Sequence, residues 1–481
     1  MAIRRARGET PRVREREYDN DAKALDAALV TPTSRLPAGY FASFHAYPYY
    51  PDFMLLGDAY QASASTLGRS NYFGYLSDLK AHHDGMPVVI SEYGIPASLG
   101  TGHLQPQGWH HGGLTEQEVA DANARLTLEL AEAGMAGGAL FAWIDEWFKQ
   151  NWVTIEFEIP ADRGRLWHNR LDAEEHYGIL ALEAAPAVAG ATLAERLRSW
   201  ASVDPLYQEP GLTVRAAHDE AYVWLLIEAP DASPRDTVFV GFDIVDATAG
   251  DFRWPGRVGD RLPVGVEFVL QASGSEVRVL ADPPSNLFRL VDVGQEGVGL
   301  EGRRVDIADP PLGLFHARVE QRFNLPYYPV PNEDGRYDSL RVAVNRRRFA
   351  RDSTEFLAVG YDRGLLPGGP GPDGFWERTA DVLEVRIPWL LLNITDPSSR
   401  TVLYGPGSAN ARGAEMGTDG QWRLRLGVTA WPDSVFGALG TRQIDDVGIV
   451  AAVRGTGGEV QVPRPGGEVA RYGWPTWEAP E

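Results

Sequence analysis

One carboxylate in this sequence stands where a carboxylate can react. Pro87-Val88-Val89-Ile90-Ser91-Glu92-Tyr93-Gly94 is an apolar run started by a proline and stopped by a glycine. That is the pattern of a strand buried on both faces of a parallel sheet. Chemistry in such sheets collects at the carboxyl ends of the strands, where Glu92 falls. A carboxylate held there can serve as a nucleophile, or as a general acid or base. A lone Glu at a strand end is also an ordinary surface residue, so its neighbours matter. Two further apolar runs end in useful side chains. Gly39 to Pro48 delivers His45 and Tyr47, with Tyr49 and Tyr50 just beyond; a phenol or imidazole beside Glu92 would favour its ionised form. Gly137 to Trp143 leads into Asp145, Glu146 and Trp147. His103, His110 and His111 lie on the loop after Glu92 and have no metal-ligand spacing to an acidic partner, so a solvated loop is expected there and no metal site.

The elements that must position these residues alternate. Between the first two runs, Tyr72, Tyr75, Leu76 and Leu79 recur at helical spacing. Between the second and third, Thr115 and Glu118 form a capping box, and Gly134 stops the helix that follows. The order strand, helix, strand, helix, strand fits right-handed parallel crossovers. An Ala-rich helix is expected near Ala191–Ala201, and a short helical candidate spans Ala22–Leu29. From about residue 210 the pattern turns to β-like runs: Leu212–Ala217, Ala221–Glu228, Thr237–Val245, Val266–Ala272, Glu276–Ala281, Leu314–Phe323, Ser339–Asn345, Val382–Ile387 and Trp422–Ala430. Gly, Pro, Asp and Asn separate them, which reads as a β-sandwich. The expected organisation is a polar segment over 1–35, an α/β unit over 36–205, an all-β unit over 206–453, and a loosely packed Gly/Pro-rich tail over 454–481. Gly364 to Gly374 reads as a flexible loop.

Composition narrows the functions. The 481 residues carry a net charge of −21, which disfavours nucleic acid and anionic membrane as partners. There is no cysteine, so disulfides and thiolate metal sites are excluded. No apolar run reaches the length of a membrane-spanning helix, and the Arg-rich stretch Met1 to Glu17 has no apolar h-region of a secretory signal. No G-x-G-x-x-G or P-loop pattern opens a helix after a strand, which argues against a nucleotide or dinucleotide enzyme. No cofactor is expected.

Taken in order, the three strand ends resemble the last three strands of the (β/α)₈ TIM barrel of clan A glycoside hydrolases, the superfamily of the family 2 and family 5 enzymes. Phe44-His45-Ala46-Tyr47-Pro48 is similar to the sixth strand, whose aromatic hydroxyl touches the nucleophile. Pro87 to Gly94 is similar to the seventh, which ends in the nucleophilic Glu. Ala139 to Trp143 is similar to the eighth, whose Trp floors the sugar subsite. The resemblance covers roughly residues 36–180. It implies retaining hydrolysis of O-glycosyl bonds in an oligo- or polysaccharide, with Glu92 as nucleophile and a second carboxyl about 5–5.5 Å away. It implies His45, Tyr47, Trp143 and Trp147 as sugar contacts, with interior packing as the other reading for His45 and Trp147. Asp145 and Glu146 either bind sugar hydroxyls or make salt bridges on the rim.

The chain departs from that family at one point. The family's acid/base lies in an Asn-Glu pair after the fourth strand, and the Asn-Glu pair here, Asn332-Glu333, falls in the β-rich half, where a turn is expected. Glu9, Glu15 and Glu17 have no strand before them. The front of the barrel is then lost, encoded separately as an N-terminal barrel half, or left out by a misplaced start. The β-rich half resembles family 9 carbohydrate-binding modules through Ala221 to Glu228, Val240 to Asp243 and Leu383-Glu384-Val385-Arg386-Ile387-Pro388-Trp389, with Trp254, Trp376 and Trp431 as sugar platforms or core. Two functions follow: a retaining glycoside hydrolase, or a non-catalytic carbohydrate-binding or interaction protein with a degenerate barrel.

Overall fold

In the computed structural model the described residues are 30–50, 54, 58–151, 153–155, 157–233, 235–286, 331–349, 354–406, 414–416, 422–424, 439–456, 460–461 and 469–478. The helical candidate Ala22–Leu29, Glu9, Glu15, Glu17, the run Leu314–Phe323 and Trp431 lie outside them.

The apolar run before Glu92 forms the strand Val88–Tyr93, the middle of a three-stranded parallel sheet. Ala42–His45 pairs along one side and Gly137–Leu140 along the other. Val88 and Ile90 are fully buried because a helix covers their side of the sheet. Two helices make the crossovers. Asn71–His82 is capped by Ser70, which accepts from the Phe73 N–H. Glu116–Glu132 begins with the full capping box between Thr115 and Glu118, and Gly134 leaves it at φ +76°, a left-handed turn that only glycine takes cheaply. The helices are tied by a buried carboxylate. Glu129 accepts from Ser70 Oγ at 2.6 Å and Ser65 Oγ at 2.9 Å, and pairs with Arg125 at 2.9 Å.

Among the described residues these strands do not close into a barrel. Ala42–His45 has no second neighbour, and Gly137–Leu140 has none either. Beyond Leu140 the chain is bridged differently: residues 177–182 run parallel to 142–145, with Ala142 donating to Tyr177 O and Asp145 to Leu180 O.

The two largest sheets of the β-rich half are antiparallel. One has the order Trp376–Arg378, Val382–Pro388, Tyr222–Glu228, Leu212–His218, Tyr207–Glu209. The other runs Asp338–Ser339, Glu276–Ala281, Phe268–Ser273, Thr237–Asp243, Val447–Arg454, Val460–Gln461. Val240, Phe242, Leu270, Val279, Leu225, Val385 and Ile449 meet in one core between them. The second sheet is buried on its far side too, where Phe239, Val269, Val450 and Ala452 pack on Trp254, Leu262 and Val266. Covering both faces explains why Val238-Phe239-Val240-Gly241-Phe242 reads as continuously apolar rather than alternating.

Two expected boundaries move. The core of this half also takes Val153, Phe157, Trp167, Leu171 and Trp200, so the segment from about residue 150 packs with the β-rich half rather than ending a unit at 205. These are large apolar side chains that the small three-stranded sheet has no room to bury. The tail expected to be loose is docked where described: Ala470–Tyr472 pairs with Val447–Arg454, and Trp474 lies 4.8 Å from Trp389. Trp474 is buried there, and its indole N–H donates to Pro397 O at 2.8 Å. Gly364 to Gly374 contains the short strand Leu365–Leu366 and is pinned by Arg386, which donates to Gly374 O at 2.7 Å. No helix among the described residues is long and apolar enough to cross a membrane.

Several carboxyls are buried by this packing. Asp219 in the turn before Tyr222 accepts from Ala221 N, Tyr222 N and Trp224 Nε1 at 2.9, 2.8 and 2.6 Å. Burial outweighs these bonds and raises it from 3.8 to about 6. Burial raises Asp243 and Asp251 to about 6 as well. A carboxyl with a raised pKa holds its proton longer folded than unfolded, so its contribution is full below 3.8 and lost as the pH climbs through about 6. Asp219→Asn should therefore lessen whatever fall in melting temperature occurs between about pH 5 and about pH 8, read by calorimetry in matched ionic strength.

Candidate active site at the end of the Glu92 strand

The site begins with a register shift. Ala42, Ser43 and Phe44 pair with Val88, Val89 and Ile90, but His45 falls opposite Glu92. That bulge lets Ala46 N bond to Glu92 O at 2.9 Å while the next side chains turn over the strand end. Tyr47 Oη then donates to Glu92 Oε2 at 2.8 Å, and His45 Nδ1 lies 3.1 Å from the same oxygen. Glu92 keeps about a third of its side-chain surface open, at 32%, and His45 is open at 60%. Burial, followed by its bond to Glu92, pushes the Tyr47 phenol far up, so it stays a donor. Gly94 closes the strand: a Cβ there would come within 2.5 Å of Phe141 O.

Around Tyr47 is a cluster of rings. Tyr49 lies 5.5 Å away and Tyr50 5.8 Å away, centroid to centroid. Tyr177 packs edge-on at 6.1 Å, and Phe141 packs on Tyr177 at 5.0 Å. The Tyr49 and Tyr177 hydroxyls share a short hydrogen bond. Two histidines complete the cluster, and here the expected solvated loop is not found. Thr101–His103 and His111–Gly112 pair as a small antiparallel ladder, which carries His111 inward until it is buried and stacked on Tyr49 at 4.8 Å. His103 stacks on Tyr49 at 6.0 Å. Gly112, at φ +83°, allows this: a Cβ would meet Gly100 O at 2.2 Å.

His111 reaches a carboxylate that sequence spacing did not single out. Its Nε2 lies 3.1 Å from Oε1 of Glu174, whose side chain is 31% exposed. Glu174 sits in the 3₁₀ turn Ala173–Glu175, where Asp172 caps its N–H at 2.7 Å. Burial, then the charges of Glu174 and Glu92, push Tyr50 up to about 12. The only signal in the sequence is the acidic run Asp172, Glu174, Glu175 before Tyr177.

The other sequence candidates divide. Trp143 is 70% exposed, and the aromatic of this strand end that packs on the ring cluster is Phe141. Asp145 is buried, and its two oxygens take the N–H groups of Gly178 and Leu182 at 2.7 and 3.0 Å. It therefore holds the 177–182 return in place and has no oxygen turned to a sugar. Glu146 pairs with Lys149 at 3.0 Å. Trp147 donates its indole N–H to Arg165 O at 2.7 Å and stacks on His168; burial, then His176, lowers His168 to about 4. Trp254 is fully buried core, and Asn332 caps the turn at Glu333 and Asp334.

Glu158, Asp172 and Glu175 are the one group of three acidic ligands among the described residues, with oxygens within 4.8 Å of one another. Such oxygens suit Ca²⁺ or Mg²⁺. Burial first, then mutual repulsion, raises Glu158 and Glu175 well above their ordinary value. Asn169 Nδ2 donates to Glu158 at 2.7 Å and Thr154 Oγ1 to Asp172 at 2.6 Å.

Compared with protein-family models, with curated proteins and with solved structures, the chain matches none.

Because Asp145 satisfies two backbone donors, Asp145→Ala should cost about 3 kcal/mol in urea unfolding. His45→Ala, at an exposed position, should change stability by less than about 0.5 kcal/mol.

Proposed function

We propose that this chain is a retaining glycoside hydrolase-like protein with Glu92 as its nucleophile and an oligo- or polysaccharide as its partner. The observation that carries the reading is the Tyr47 Oη donor at 2.8 Å, with His45 Nδ1 3.1 Å from the same oxygen, on a carboxylate one third open at a parallel strand end. Those contacts fall on one oxygen, and the other remains available to attack an anomeric carbon. Aromatic faces beside it suit the C–H faces of a sugar ring. The likeness of the three strand ends to the clan A barrel supports the same reading. The open edges of Ala42–His45 and Gly137–Leu140 fit the addition of further β/α units, supplied by a separate barrel half. Apolar Trp143, Phe148, Ile179 and Leu180 are exposed and available to such a partner.

Covalent trapping tests the nucleophile. A 2-deoxy-2-fluoro dinitrophenyl glycoside series (gluco, galacto, manno, xylo) should leave one sugar mass on the peptide containing Glu92. Glu92→Gln should abolish labelling, because the amide keeps the shape but cannot attack. Tyr47→Phe should slow it by about 10-fold or more, the loss of one donor worth roughly 1.4 kcal/mol. Labelling at another residue, or unchanged labelling of Glu92→Gln, would remove Glu92 from the role.

A non-catalytic sugar-binding role is the second reading, and one observation favours it. The β-rich half has a cavity of about 210 Å³ lined by Trp376, Trp224, Arg196, Glu377 and Arg386, on the sheet that resembles a carbohydrate-binding module. Soluble oligosaccharides should bind there with micromolar to millimolar affinity by calorimetry, and Trp376→Ala should remove the heat. Absence of heat with every glycan tried would leave that half a structural role.

A further inference from the structure

We propose that Glu174 is the general acid/base of this site, acting on the same glycosidic bond as Glu92; the inference rests on the reading of Glu92 as nucleophile. Two carboxylates are needed for retaining hydrolysis, one to attack carbon and one to carry the proton. The structure brings Glu174 to the ring cluster beside Tyr47 from the segment that packs with the β-rich half. Its backbone is fixed by the Asp172 cap at 2.7 Å, and its carboxylate lies 3.1 Å from His111 Nε2. His111 is stacked on Tyr49 at 4.8 Å, Tyr49 lies 5.5 Å from Tyr47, and Tyr47 holds Glu92. The two carboxylates therefore border one cluster of rings. The shifts of Tyr47 and Tyr50 agree, since Glu92 and Glu174 are the carboxylates whose charge acts on both.

The other nearby acids are already engaged. Asp145 is saturated by backbone N–H groups, Glu146 is paired with Lys149, and Glu158, Asp172 and Glu175 are buried. Glu174 is both held and 31% open. It would also meet a requirement that the chain's lone Asn-Glu pair, in a turn of the β-rich half, leaves unmet.

The steps balance. Protonated Glu174 gives its proton to the glycosidic oxygen as the C1–O bond breaks and a Glu92 oxygen bonds to C1. The aglycone leaves as an alcohol, and Glu174 is left as the anion. Glu174 then takes a proton from water while the water oxygen bonds to C1. Glu92 departs as carboxylate, the sugar leaves as a hemiacetal, and Glu174 is protonated again.

Leaving-group dependence tests this in the full chain. Wild type, Glu92→Gln, Glu174→Gln and Glu174→Ala are assayed on 4-nitrophenyl and 2,4-dinitrophenyl glycosides of the same four sugars, with and without azide, after melting curves establish folding. Removing the acid should cost about 10²–10⁴-fold on the 4-nitrophenyl substrate. Bond cleavage in the dinitrophenyl substrate, whose leaving group needs no proton, should fall far less. Azide should restore turnover of Glu174→Ala and give a glycosyl azide of the substrate's configuration. Wild-type rates in both Glu174 variants, with Glu92→Gln inactive, would overturn this inference and leave the Glu92 reading standing. Equal loss on both substrates without azide rescue would overturn it as well. A wild type inert on the whole panel and unlabelled by the fluoro sugars would remove both.

Discussion

An anion at the end of a buried strand survives only where donors meet it, and the rest of the α/β region is arranged to bring them. Val88 and Ile90 are buried beneath a helix while Val89 and Ser91 on the other face are half-buried, so Glu92 emerges from a largely apolar strand. The donors come from the neighbouring strand, and only because that strand slips by one residue at its end. Without the bulge between Phe44 and His45 the alternation of a regular strand would turn Tyr47 toward a different face. The helix Asn71–His82 secures the same turn from below, since Tyr72 Oη donates to Ala46 O at 3.0 Å. A single backbone irregularity thus joins packing to chemistry.

The chain uses its acids in two ways, and burial separates them. Glu129, Asp145 and Asp219 are enclosed, and each accepts a hydrogen bond from an element 30 or more residues away in sequence. Such groups cost desolvation and repay it in position. Glu92 and Glu174 are half-open and touch an imidazole each. Acids of the first kind hold the loops still, and a reactive carboxylate needs neighbours that do not move.

Local signals carried well from sequence to structure. The capping box at Thr115 and Glu118, the stop at Gly134 and the apolar run before Glu92 depend on residues within a few positions of one another, and all are present. Tyr47 and His45 were legible beside Glu92 because parallel strand ends line up. Glu174 was not. Its nearness to Tyr47 requires the ladder between Thr101–His103 and His111–Gly112 and the return of residues 177–182, neither of which leaves a periodic trace. Trp147 and Asp145 show the converse: residue types suited to sugars were taken up by Arg165 O and by backbone N–H groups, which composition cannot reveal. Residues 153–171 misled for a physical reason, since their large side chains follow the bigger core.

The strand order of the second sheet also constrains how the molecule is made. Thr237–Asp243 lies between Phe268–Ser273, its near neighbour in sequence, and Val447–Arg454. One of its edges is thus paired early, and the other waits for a strand roughly 200 residues later, which at about 5–20 residues per second of synthesis is a delay on the order of 10–40 s. Through that interval a ribosome-bound chain presents Phe239, Val240 and Phe242 on an open edge. The late arrival of Val447–Arg454, with Ala470–Tyr472 behind it, is what ends the exposure. Until that strand pairs, the backbone N–H and C=O groups along one side of Thr237–Asp243 stay open to pairing with another chain.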